Sequence, residues 1–142
     1  MIADFGLQIG FSEIRNQKSE MDEVVMDKEE LKRRTKQFAL RVVRLVEALP
    51  RGRTADVLGR QLLRSGTSVG ANYRAACRAK STADFISKMG TVEEEADESL
   101  YWMELLIEAG IVKADLLESL MKEGDELLAI TVSSINTARK HK

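Results

Sequence analysis

The sequence predicts an all-α protein, an antiparallel up-down-up-down four-helix bundle, and three observations carry that reading. The first is composition. The 142 residues include one proline, Pro50, and 5% aromatic residues, against 44% hydrophobic and 32% charged. Few aromatics, almost no proline and many Leu, Ala, Glu, Lys and Arg favour long helices over sheet. The second is periodicity: four stretches of similar length repeat apolar residues at steps of three and four. The third is connection length, because the short links between these stretches make neighbouring helices antiparallel.

Residues 1–27 show no sustained period and include Gly6, Gly10 and a polar run from Ser12 to Glu20. They read as a poorly ordered leader or a mis-annotated start, with Met21 and Met26 as alternative starts. The other reading is an arm that docks on a neighbouring subunit through Phe5, Leu7, Ile9, Phe11 and Ile14. Residues 28–139 form the bundle and residues 140–142 a basic tail.

The first helix is predicted from about Asp27, a cap, to Leu49. Its stripe is Leu31, Thr35, Phe38, Val42, Leu45 and Leu49, widened by Leu40, Val43 and Val46. The opposite face carries Lys32, Arg33, Lys36, Arg41 and Arg44. Pro50 stops it, since the residue before a proline is pushed out of the α region.

The second helix is predicted after Thr54, as cap, to about Lys80. Its seam is Leu58, Leu62, Ser65, Val69, Asn72 and Ala76, beside a band of small residues that includes Gly66 and Gly70. Glycine in a helix interior costs roughly 1 kcal/mol relative to alanine, which predicts close approach of a neighbouring backbone. Arg64, Ser68 and Asn72 are spaced four apart on one ridge.

The third helix is predicted from Ser81 or Thr82 to about Ala109, with Gly110 as the stop. Its seam is Phe85, Met89, Val92, Ala96, Ser99, Met103 and Leu106. A second ridge is Lys88, Glu95, Glu98 and Trp102. The acids from Glu93 to Glu98 lie mid-helix, where the helix dipole does not explain them. A cation among Arg64, Arg74, Arg78 and Lys88 does, or else the acidic face is simply solvated. The fourth helix is predicted from about Lys113 to Ala138, with Leu116, Leu117, Leu120, Leu127, Leu128, Val132 and Ile135 as its stripe.

Charge is strongly segregated although the net is −1. Residues 1–27 carry 2 basic and 6 acidic groups, residues 28–80 carry 14 and 4, and residues 81–142 carry 6 and 13. Either the basic helices pack beside acidic ones, within a subunit or between subunits, or a basic face binds nucleic acid.

Several chemistries are excluded. The one cysteine, Cys77, and the one histidine, His141, make neither a disulfide nor a zinc site. A carboxylate-bridged di-iron bundle needs inward Glu-x-x-His pairs, which are absent. Cys77 has no nearby base and reads as a packing residue. Tyr101 and Trp102 could stack on bases, but at helical spacing they read as core or subunit interface. The sequence thus predicts no catalytic, cofactor or metal-binding residue. No apolar run is long enough to cross a membrane and no secretory signal is visible, so a reduced, cytoplasmic setting is expected.

Gln61–Ser87, QLLRSGTSVGANYRAACRAKSTADFIS, followed by Glu93–Leu106, EEEADESLYWMELL, resembles the small bacterial four helix bundle protein family, also called the 23S rRNA intervening-sequence protein family. The likeness covers about Lys28 to Arg139. It implies a four-helix bundle assembling into a homopentameric ring, and kinship with the basic accessory proteins of diversity-generating retroelements, which bind nucleic acid and the reverse transcriptase. This chain departs from those in being slightly acidic, and its leader lies outside the family pattern.

Two functions remain open. One is a non-enzymatic oligomer that binds rRNA or other nucleic acid through Arg33, Lys36, Arg41, Arg44, Arg53, Arg60, Arg74 and Arg78. The other is a protein-interaction or assembly scaffold without nucleic-acid binding. In both, Arg64, Ser68, Asn72, Lys88, Glu95, Glu98 and Trp102 are expected to form a polar seam, within the bundle or at the oligomer interface. An enzyme built on Glu95 and Glu98 with Lys88 and Arg64 is less economical than an ion network that sets helix register.

Overall fold

The structure, a computed structural model, describes residues 17–141, with residues 17–27 followed along the backbone only. Four helices and no strand occur among them: α1 (Gln17–Glu47), α2 (Arg53–Ala76), α3 (Thr82–Glu108) and α4 (Ala114–Lys140). Helix α1 therefore starts ten residues before the expected cap, and Asp27 lies inside it. The stretch from Gln17 to Asp27 contains neither glycine nor proline, so nothing in it interrupts the helix. The rest of the leader, residues 1–16, lies outside the described residues.

The helix ends follow local chemistry. Helix α1 ends three residues before Pro50. Gly52, not Thr54, caps α2, and no side chain accepts a hydrogen bond there. Helix α2 ends at Ala76, short of the expected Lys80, because its backbone tightens: the Arg78 and Ala79 N–H groups bond three residues back, to Ala75 and Ala76, both at 3.0 Å. Ser81 caps α3 by accepting from the Asp84 N–H at 3.0 Å, and the Asp84 carboxylate accepts from the Lys80 N–H at 3.0 Å. This is a variant of the capping box, with the acid reaching one residue further back. At the other end Gly110 adopts a positive φ of 76°, and the Ile111 and Gly110 N–H groups bond to Leu106 and Ile107 at 2.9 Å. That is a Schellman stop, which needs a residue tolerant of the left-handed region.

One apolar core joins all four helices, built on Phe38 and Val42, Leu62 and Val69, Met89, Val92 and Met103, and Leu117 and Leu127. Among the described residues the most extensive packing is α2 on α3, followed by α3 on α4 and α1 on α2, whereas α1 and α4 meet only narrowly. The small residues of α2 divide their work. Its glycines face α1: a methyl on Gly66 would lie 2.9 Å from both Val42 methyls, and one on Gly70 would lie 3.3 Å from the Thr35 carbonyl. A methyl on Gly59 would lie 2.9 Å from Leu49. Its serine Ser65 faces α3.

Three residues expected in apolar stripes stand in solvent: Leu40 is 40% exposed, Leu116 70% and Val132 36%. Helices α1 and α4 have little of each other to cover, so their buried stripes are narrower than the sequence pattern suggests. Conversely Ile130, Thr131 and Gly124 are buried on α4 and widen its inner face in another direction.

Candidate nucleic-acid interface and polar seam

The cations of α1 and α2 separate into two groups. Arg33 donates to Glu30 through Nε at 3.1 Å and Nη2 at 2.6 Å, and this holds the Glu30 carboxyl below the usual carboxylate range. Arg60 pairs with Asp56 at 3.0 Å, one turn earlier. Arg41 is half-buried and donates to Ser119 Oγ of α4 at 2.9 Å. These three are partly committed within the subunit. Lys36, Arg44, Arg53, Arg74 and Arg78 are exposed and have no acidic partner among the described residues. The contacts of Thr35 with Gly70 and Leu49 with Gly59 set their order along the bundle. Lys36 lies toward the end holding Arg74 and Arg78, and Arg44 lies toward the end holding Arg53 and Arg60.

The polar seam lies within one chain, between α2 and α3. Arg64 Nη1 donates to Glu95 Oε1 at 3.3 Å, and Nη2 pairs with Glu98 Oε2. Glu98 Oε2 also accepts from Trp102 Nε1 at 2.9 Å, and Gln61 Oε1 accepts from Arg64 Nε at 3.3 Å. One guanidinium thus engages two carboxylates, and an indole fixes the second. The cluster is not sealed: the side chain of Arg64 is 48% exposed, Glu95 19% and Glu98 34%. Tyr101, half in solvent, meets Trp102 edge to face with ring centres 5.1 Å apart.

The remaining seam candidates do not join the cluster. Ser68 Oγ donates to the Arg64 carbonyl at 2.7 Å and Asn72 Nδ2 to the Ser68 carbonyl at 2.8 Å, so both satisfy themselves on their own helix. Lys88 gives its ammonium to Asp84 at 2.6 Å, four residues earlier. That bond, with the Lys80 N–H, holds the Asp84 carboxyl below its usual range.

Two features escaped the sequence reading. Beneath the ion cluster, Ser65 and Ser99 are fully buried and their hydroxyls meet at 3.0 Å. Each also lies near a carbonyl of its own helix, Leu62 at 3.3 Å and Glu95 at 2.8 Å, so neither hydroxyl is left unsatisfied. Both serines fall on the predicted seams, but pairing them requires the α2–α3 register. The second is Arg34. It donates to Glu123 through Nε at 2.9 Å and Nη2 at 2.7 Å, and from Nη2 to Glu126 at 2.9 Å. The bond to Glu123 raises the guanidinium further above its ordinary value, against the opposing pull of burial. The available signal was its place four residues before Phe38, at the edge of the core stripe.

Among the described residues this arrangement offers exposed cations on α1 and α2 and an ion cluster between α2 and α3. Among the described residues no group of three His, Cys, Asp or Glu side chains could hold a metal ion, and no helix is long and apolar enough to cross a membrane.

No curated protein matches the chain. Among solved structures, a crystal structure of a protein of unknown function from the S23 ribosomal protein family of Bacteroides thetaiotaomicron is 37% identical, with a TM-score of 0.73. The match covers 78% of this chain and 98% of that one. The 23S rRNA-intervening sequence protein family matches residues 27–133, from the end of the leader to within a few residues of the end of α4. On that span and that structural likeness, the chain belongs to the 23S rRNA-intervening sequence protein family.

Proposed function

We propose that the protein is a non-enzymatic, cytoplasmic bundle that binds RNA or DNA through the exposed face of α1 and α2. One observation carries the reading: Lys36, Arg44, Arg53, Arg74 and Arg78 are exposed on two neighbouring helices and unpaired with acids among the described residues. Surface cations without internal partners are free to replace counterions on a phosphate backbone. The family description makes 23S rRNA intervening sequences the first ligands to try. If all five contact phosphates on a duplex, log Kobs should fall against log salt with a slope of about −4.5. Fluorescence anisotropy with rRNA fragments and duplex DNA measures this. Binding no tighter than to a neutral polymer at low salt would sink the proposal.

A second reading is self-assembly into a ring, for which the resemblance suggests five copies. Charge segregation favours it: Glu94, Asp97, Glu104 and Glu108 are exposed on α3, so a basic α1–α2 face could meet an acidic face of the next copy. The up-down-up-down order on which such a ring depends is supported by α1–α2 contacts whose register reverses, Thr35 on Gly70, Val42 on Gly66 and Leu49 on Gly59. Because Arg64 pairs inside its own chain, Arg74→Glu and Glu94→Arg are the informative probes. Light scattering should report a changed mass for either, and an unchanged mass for both counts against this reading.

A further inference from the structure

A cavity lies apart from the seam and the basic face. It opens at the end of the bundle where α2 stops and α3 begins, and its volume is about 550 Å³. Tyr73, Cys77 and Phe85 line its buried or half-buried part, and Lys28, Lys80 and His141 stand exposed around it. An apolar hollow of this size with cations at its mouth suits an apolar segment that also carries acidic groups.

We propose that the occupant is this chain's own N-terminal arm, residues 1–16. Three observations select it over other ligands. The first is the tether. Helix α1 is continuous from Gln17, and Lys28 lines the cavity, so the arm joins the helix eleven residues beyond the opening. At ~1.5 Å per residue the arm must return by about 16 Å. Six extended residues cover about 20 Å, so Phe11 is the first large apolar side chain able to reach the cavity. The second is pattern. Phe5, Leu7, Ile9 and Phe11 fall at every second position, so an extended backbone sets all four on one side. An all-α bundle offers such a segment no sheet edge, only a groove. The third is charge: residues 1–16 carry two acidic groups, Asp4 and Glu13, against one basic group, Arg15, and Lys28 and Lys80 stand at the opening. The docked arm covers Tyr73 and Phe85 and shields the thiol of Cys77, the single cysteine of the chain.

That thiol supplies the test. The full chain and its Phe5→Asp/Phe11→Asp variant are labelled at Cys77 with N-ethylmaleimide, with far-UV circular dichroism verifying that both are helical. The variant should label at least about tenfold faster, as a site does when its local cover is removed. Equal rates would overturn the proposal, and an extra mass of a bound small molecule in native mass spectrometry would then name the competing occupant. A mixture of the variant with a Cys77→Ser chain of normal arm tells the source apart. Protection regained in the mixture means that a second copy supplies the arm, which overturns the assignment to the same chain. Continued fast labelling supports it.

Discussion

Two helix contacts in this bundle use charge differently. Where α2 meets α3, serines, alanines and apolar side chains pack over a long contact, and the Arg64–Glu95–Glu98–Trp102 cluster lies at its half-exposed rim. Where α1 meets α4 the contact is narrow among the described residues, and Arg34, only 23% exposed, grips Glu123 through Nε and Nη2. At the first contact the apolar area holds the helices together and the ions fix their register. At the second there is little apolar area, so the ion pair carries more of the attachment. The same residue types thus matter in proportion to how little else surrounds them.

The largest effect should come from the apolar part of the α2–α3 contact. Leu62 is fully buried, and Leu62→Ala should cost about 2–5 kcal/mol, read from urea unfolding. Next comes the α1–α4 clamp. Arg34→Ala strips two charge-assisted bonds from a mostly buried Glu123 and should cost about 1–3 kcal/mol. Arg34→Lys keeps the charge but not the two-point fork, so it should recover only part of that. Arg64→Ala should cost about 0–1 kcal/mol, because the Arg64 side chain is 48% exposed against 23% for Arg34, so its pairing is screened by water. If Arg64→Ala proved costlier than Arg34→Ala in the same urea series, the comparison would be inverted.

The order of these effects tracks what the sequence could and could not disclose. Helix α3 has a neighbour on each side, so its buried stripe is broad and regular, and Met89, Val92, Ala96, Ser99, Met103 and Leu106 stand where periodicity puts them. On α1 and α4 the same method places Leu40 and Leu116 inside although they are exposed. Periodicity gives the direction of a stripe, while its width depends on how much neighbour is there to cover it. The sequence offers an Arg64 pairing as one of two readings, since five acids in mid-helix suggest either a cation or a solvated face. The Arg34 pairing is not legible there, because its partners are 89 and 92 residues away and only the α1–α4 juxtaposition reveals them. The cations proposed to meet nucleic acid were legible as a count, but not as the division between those committed to acids and those left free.

The smallest predicted effect lies at the entry to α3, on the α2–α3 side of the comparison. Asp84 accepts from Lys88 at 2.6 Å and from the Lys80 N–H at 3.0 Å, and these hold its carboxyl below the usual range. In the unfolded chain the same carboxyl titrates at ~3.9. Between the two values the unfolded state binds more protons than the folded one, so stability rises with pH there. The contribution is complete above ~4 and drains as pH falls through the lowered folded value. Asp84→Asn keeps an acceptor for the Lys80 N–H but has no charge to lose. Its urea midpoint should therefore fall less steeply than the parent's as pH drops below ~4. Parallel curves would show that the Lys88 contact leaves the folding balance untouched, and that this end rests on the bonds of Ser81 and of the Lys80 N–H. The exposed pair would then be even less important to α2–α3 than Arg64, and Arg34 would be the side chain whose charge the bundle most needs.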